Sequence, residues 1–132
     1  MDAGTGVEEH SIRNALAAAD EHLTSIQRAI RAGVTLVNGT DYPPGDPVGG
    51  IPAAVHELLL MAGAGLSPLL SLQSVSVNAA ALLGLGDRVG QIRPGYEADF
   101  VAVAADPLDD LAALRAISLV VQGGRVVRED AR

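Results

Sequence analysis

One junction restricts the fold more than any other feature: a helical stripe stops at Gly33 and passes directly into Val34-Thr35-Leu36-Val37. Upstream, the larger apolar residues fall at Ile12, Leu16, Ala19, Leu23, Ile26 and Ile30, spaced alternately four and three apart. That is one face of a helix running from about Glu8 to Ala32. Glu8 and Glu9 suit its positive N-terminal end, and Gly33 is placed to stop it. The spacing also fits a coiled coil. The seam is short and contains Ala, which favours an amphipathic helix packed on a larger body, burying Ile12, Leu16, Leu23, Ile26 and Ile30. Downstream, the β-branched, apolar-or-Thr run 34–37 reads as a strand buried on both faces, as in a parallel sheet. Helix, glycine and buried strand make half of an α/β unit.

The strand reading ends in Asn38-Gly39-Thr40-Asp41, and the Pro- and Gly-rich stretch Tyr42–Gly50 argues against regular structure. A second helix is expected from about Pro52 to Ala62, broken by Gly63 and Gly65. Ser67 as N-cap and Pro68 at the first helical position start a third, expected to reach Leu83. Beyond Asp87 the pattern becomes mostly β. Strands are expected at Ala98–Ala104, Ser118–Val121 and Arg125–Arg128, with a short helix within Leu108–Ala116. Gln122-Gly123-Gly124 reads as a tight hairpin. The chain thus divides into 1–86, an α/β piece, and 87–132, a mostly β piece.

Composition closes several routes. A length of 132 residues is one domain's worth. Aromatics are 2% of the chain, so the core must be Ala, Leu, Val and Ile, and no stacking platform for single-stranded nucleic acid is available. A net charge of −7 offers no basic face for phosphate backbones, so no nucleic-acid partner is expected. All nine basic residues are Arg, which removes Schiff-base, P-loop and carboxylated-lysine chemistry from this chain. There is no Cys, so disulfides, thiolate metal sites and cysteine nucleophiles are also excluded. The opening MDAGTGVEEH is acidic and polar, unlike a secretory leader. No apolar run approaches the roughly 20 residues of a membrane span. The expected setting is the cytoplasm, away from the membrane.

Among candidate reactive groups Asp41 stands first. It lies at the C-terminal end of the expected buried strand, where α/β folds place ligands, and a carboxylate there can bind metal or act as a general base. The plainer alternative is an Asx-type turn. His10, His22 and His56 are scattered, with no His-x-His or His-x-x-x-His pair, and read as structural or solvent-facing. Gly84–Gly90 lacks both the spacing and the strand-loop-helix order of a phosphate loop. Ser67 and Ser76 lie outside any G-x-S-x-G elbow.

The order of motifs then points further. Ala32-Gly33, Val34–Val37 and Gly39-Thr40-Asp41 resemble the last barrel strand of the amidohydrolase superfamily. His56–Met61 with Ala64-Gly65-Leu66-Ser67-Pro68 is similar to the helix-loop-helix that follows it, and Asn78–Leu85 to the next helix end. Gly90-Gln91-Ile92-Arg93-Pro94-Gly95-Tyr96-Glu97-Ala98-Asp99-Phe100-Val101 resembles the family's G-x-I-x-P-G-x-x-A-D segment. Asp106-Pro107-Leu108 and Val120–Val127 look like its closing strands. Ser76 stands where the family usually has Thr. The nearest branch is that of the imidazolonepropionases and prolidases.

This resemblance implies a fold and a chemistry. The fold is α/β: a C-terminal fragment of a metal-dependent hydrolase (β/α)8 barrel, with its last helix-strand region and trailing helices, plus C-terminal strands of a small β-sandwich. A complete barrel needs about 250 residues. The implied reaction is hydrolysis of amide-like C–N bonds in a small amide or dipeptide-like substrate by metal-activated water. Asp41 is the implied metal ligand and proton acceptor, and the metal of the complete enzyme is divalent, zinc by family habit. The family's His-x-His, lysine and further histidine have no counterpart here, so the isolated chain is expected to hold no metal and to be inactive. It is expected to be a truncated or separately encoded chain whose partner is the missing barrel half or another copy of itself. The alternatives are a non-catalytic remnant acting as an assembly module, or one chain of a split hydrolase.

Overall fold

The computed structural model describes residues 9–43, 47–48 and 50–130. The chain forms two compact units, 1–34 and 35–132.

The first unit is helix α1, Glu9–Arg31, amphipathic as its spacing requires. It ends in a Schellman motif. Gly33 has φ +70°, its N–H donates to Ile30 O at 3.0 Å, and Val34 N–H donates to Ala29 O at 3.1 Å. Only glycine enters this left-handed position without a Cβ penalty. Gly65 and Gly84 close later helices by the same pair of bonds. Arg28 and Arg31 lie in the last turn of α1, where cations are favoured. The burial expected for this helix is not met at Leu23, which is 44% exposed, while Ile26 and Ile30 are half-buried. The side chains of Ile12 and Leu16 lie outside the described residues.

The second unit begins with a departure from expectation. Residues 34–37 belong to no sheet among the described residues. A strand exists only where a neighbouring strand takes its N–H and C=O groups, and propensity alone cannot supply one. The stretch expected to be irregular instead contains a small hairpin, β1 (Pro47–Val48) with β2 (Ile51–Pro52), paired Val48 to Ile51. Each Pro sits at the outer end of a two-residue strand, where its missing N–H costs little.

Helix α2 spans Ala53–Gly63, and two shorter helices, α3 (Pro68–Val75) and α4 (Val77–Leu82), replace the single helix expected there. The break falls at Ser76, whose φ −121°, ψ −96° is not helical. Its hydroxyl donates to Leu72 O at 2.6 Å, the kind of back-bonding that competes with a helical ladder. Ser67 caps α3 as expected, accepting Leu70 N–H at 3.3 Å.

Three antiparallel strands follow, β3 (Phe100–Val103), β4 (Ile117–Gln122) and β5 (Arg125–Glu129), in the order β3-β4-β5. A 3-10 helix, Leu111–Arg115, joins β3 to β4 and is capped by Asp110, whose carboxylate accepts Ala112 N–H at 2.8 Å. That helix presents Leu111 and Leu114 to Val55 and Leu58 of α2, and this cluster is the centre of the core. Leu72 of α3 and Val103 of β3 pack around it, so helices and sheet share one apolar centre without an aromatic residue.

Gly90 explains why the glycine-rich turn after α4 must be what it is. It has φ +87°, and a Cβ there would meet the Ser76 carbonyl carbon and oxygen at 3.0 Å and Ala80 Cβ at 3.1 Å. Gly90→Ala is therefore expected to lose about 2 kcal/mol or more from strain and overpacking. Gly63, expected to break α2, is instead its last helical residue, and a Cβ there would meet open space, so Gly63→Ala should be neutral or gain about 0.5 kcal/mol. Denaturant unfolding of the two variants beside the parent checks the contrast; equal midpoints would refute it.

Candidate active site

The run that leads to Asp41 is held by the broken helix. In an unbroken helix Ser74 C=O would take the N–H of Asn78, four residues on. The break at Ser76 leaves that carbonyl to Asn38, whose backbone N–H donates to it at 3.1 Å. Asn78, on the first turn of α4, turns its side chain to the same run, and its Nδ2 donates to Leu36 O at 3.0 Å. Among the described residues Leu36 and Asn38 have no strand neighbour, and α3 and α4 supply the acceptor and donor that one would have offered. Ser74 is buried and small, which allows the backbone this approach. Its hydroxyl donates to Ser71 O at 2.6 Å, and Asn38 Nδ2 approaches Met61 Sδ at 3.7 Å.

Beyond this clamp lie Gly39, Thr40 and Asp41. Tyr42 N–H donates to Thr40 Oγ1 at 3.3 Å, a turn bond across Asp41. Asp41 has φ +51°, the one non-glycine residue with positive φ among the described residues. Left-handed backbone costs an L-residue about 1–2 kcal/mol, least for Asp and Asn. Its carboxylate is exposed, and among the described residues it has no hydrogen-bond or ion-pair partner.

The other sequence candidates do not gather around it. His22 is exposed on α1 and His56 is half-buried on α2, while the His10 side chain lies outside the described residues. Among the described residues no group of three or more His, Asp or Glu side chains is arranged to hold a metal. A catalytic zinc takes three protein ligands, so the donors described here do not by themselves fit one. Ser67 and Ser76 spend their hydroxyls on helix backbone. Gly84–Gly90 is a helix terminator followed by a close-packed turn, not a phosphate cradle.

The segment Gly90–Val101 is structural. Tyr96 OH donates to Gly86 O at 2.7 Å, Glu97 pairs with Arg88, and Arg93 lies over the Tyr96 ring at 5.1 Å. Asp99 Oδ1 accepts Gly123 N–H at 2.6 Å while Gly124 N–H donates to Ala98 O at 3.0 Å. Asp99 thus holds the turn of the β4–β5 hairpin. Asp99 and Asn78 fall within motifs of the sequence, but neither role is legible there, because both act on backbone groups far along the chain.

Comparison with known proteins agrees with this architecture. A model described as "Amidohydrolase family" matches residues 4–127. The chain is 34% identical over 129 residues to the ochratoxinase of Aspergillus niger, covering 95% of this chain and 26% of that enzyme. It is 39% identical over 89 residues to the imidazolonepropionase of Deinococcus deserti, covering 65% of this chain and 21% of that protein. The crystal structure of the A. niger ochratoxinase superposes with a TM-score of 0.78 over 96% of this chain and 29% of that one. That of a Xaa-Pro dipeptidase with bound methionine in its active site superposes at 0.71 with 25% identity, over 80% of this chain and 25% of that one. The chain therefore belongs to the amidohydrolase family. It spans about a quarter or less of the length of the curated relatives it matches, 26% for the ochratoxinase and 21% for the imidazolonepropionase. No helix among the described residues is long and apolar enough to cross a membrane.

Asp99→Ala removes the acceptor from the hairpin turn and is expected to cost about 1 kcal/mol. Asp99→Asn, which keeps a carbonyl oxygen, should recover part of that loss. Thermal unfolding of both variants tests it, and an unchanged midpoint for Asp99→Ala would show that the turn holds itself.

Proposed function

We propose that this chain supplies the C-terminal part of a metal-dependent amidohydrolase that cleaves amide-like C–N bonds in small amide or dipeptide-like substrates. In this reading residues 1–86 are the end of a (β/α)8 barrel, and 87–132 are strands of its accompanying β-sandwich. The observation that carries it is Asp41: an exposed carboxylate, in left-handed backbone, just beyond a run clamped by α3 and α4, in a chain of this family. Similarity to an ochratoxinase and to a Xaa-Pro dipeptidase supports a small amide-containing substrate.

The role assigned to Asp41 is that of proton acceptor. A carboxylate beside the attacking water takes its proton as the water oxygen adds to the amide carbon, so that no free hydroxide has to form. Because the donors described here do not fit a metal by themselves, Asp41 counts as one ligand of a set completed by residues outside this chain. The surface supports a completing partner: Ile92 is 86% exposed and Leu82 is 72% exposed. A groove of about 580 Å³ between α3–α4 and β3 has Val75, Leu83 and Val101 among its lining residues. Apolar surface left open in this way favours association. The same surface would serve a non-catalytic assembly module, which the experiment below separates from the hydrolase reading.

Made alone, the chain is expected to self-associate on concentration and to bind no stoichiometric zinc, as read by light scattering and metal analysis. A monodisperse monomer over a wide concentration range would count against the open-surface argument. Co-expression with the remaining three quarters of an amidohydrolase relative is expected to yield a complex that hydrolyses amide substrates. In that complex Asp41→Asn should lower turnover by about 10²–10⁴-fold without loss of assembly. Asn tolerates left-handed backbone as Asp does, so the turn should persist. An assembled but inactive parent complex would favour the assembly module, and full activity in Asp41→Asn would move the chemistry elsewhere.

A further inference from the structure

We infer that Asn78 is a positioning residue: its carboxamide, acting with the Asn38 amide, sets the left-handed turn that presents Asp41. The inference rests on the reading of Asp41 above, but it concerns conformation and is tested without activity. The two clamp bonds, Asn78 Nδ2 to Leu36 O at 3.0 Å and Asn38 N to Ser74 O at 3.1 Å, grip the backbone two residues apart. Holding a backbone run at two points fixes its direction and restricts its rotation about its own axis, which one bond cannot do. Only Gly39 and Thr40 separate the grip from Asp41, and Thr40 is itself engaged by Tyr42 N–H. Asp41 is therefore bounded by a fixed backbone on one side and a turn bond on the other, and positive φ is how the chain spans the two.

The α3–α4 packing gives Asn78 no alternative task. The buried residue of α4 is Ala80, and the α4 end is closed by Leu83, Gly84 and Leu85 backbone bonds. The side chain of Asn78 is committed 42 residues back along the chain, to a carbonyl in the run before Asp41. The carboxamide is suited to this: Leu36 C=O needs a donor, and a carboxylate of the same shape offers none unless it is protonated.

That difference makes the test. In solution NMR of the full 132-residue chain, held below its self-association range, the parent should show the strong intraresidue HN–Hα contact of a left-handed residue at Asp41 and a slowly exchanging Asn38 amide. In Asn78→Asp at pH 7 the Asn38 amide should exchange at least tenfold faster and the Asp41 signature should average away. The helices should keep their shifts. Near pH 3, where an ordinary carboxyl carries its proton, the protonated side chain can donate to Leu36 C=O, and both the Asp41 signature and the Asn38 protection, taken relative to the intrinsic exchange rate at that pH, should return. The parent, recorded at the same two pH values, should show the left-handed signature at both. Asn78→Ser, which keeps a shorter donor, should lie between. Retention of the Asp41 signature and Asn38 protection in Asn78→Asp at pH 7, or their loss without recovery at pH 3, would overturn the inference. So would unfolding of both variants, since Asn78 would then hold the fold and not the turn. Loss of the turn with full activity in the reconstituted Asp41→Asn complex would instead indict the functional reading and leave this one standing.

Discussion

Backbone groups that have no place in a helix or sheet must be paired or solvated, and here a broken helix performs the pairing. Ser76 leaves the helical conformation, the Ser74 carbonyl loses its in-helix donor, and Asn38 N–H takes the place of that donor. Asn78 then offers its carboxamide to Leu36 O. The same break admits the chain from the other side, since Gly90 presses against the Ser76 carbonyl and Ala80. A buried amide or carbonyl without a partner costs as much as several ordinary contacts contribute. One irregular serine is thus the point through which the Asp41 run, the two short helices and the turn after them are connected.

The apolar side of the second unit is modest in size and plain in chemistry. Val55 and Leu58 of α2 meet Leu111 and Leu114 of the 3-10 helix, and Leu72 and Val103 bring α3 and β3 to the same centre. With no ring to fill space, the core relies on branched aliphatics at close range, and each carries much of it. Meanwhile Leu82, Leu83 and Ile92 stand in the open, and every residue of β5 is exposed. A chain that spans 26% of the ochratoxinase it resembles has more apolar surface than its own residues cover, which is the physical basis for proposing a partner.

Much of the local structure was legible because it rests on local chemistry. Gly33 ends α1 and Gly84 ends α4, since a left-handed residue without Cβ is what a helix stop needs. Ser67-Pro68 begins α3, and Gly123-Gly124 turns β4 into β5. The failures are where a distant group decides. The run 34–37 has strand composition and no strand partner among the described residues. Ser76 looks like a mid-helix serine until its hydroxyl is seen on Leu72 O. Pro47 and Pro52 discourage a strand by rule, yet they occupy the outer ends of a hairpin that needs neither N–H.

The candidate site divides along the same line. Sequence alone singled out Asp41, through the order of strand, Asn-Gly-Thr-Asp and loop, and placed the chain in the amidohydrolase family that comparison then showed. Those inferences depend on residue order, which the sequence carries in full. Tertiary structure alone decided that Asp41 stands in left-handed backbone, that Asn78 reaches Leu36 across 42 residues, and that Asp99 serves a hairpin turn 24 residues away. Such contacts follow from where the folded backbone exposes an unpaired N–H or C=O, and a linear sequence does not record which of those groups are left over.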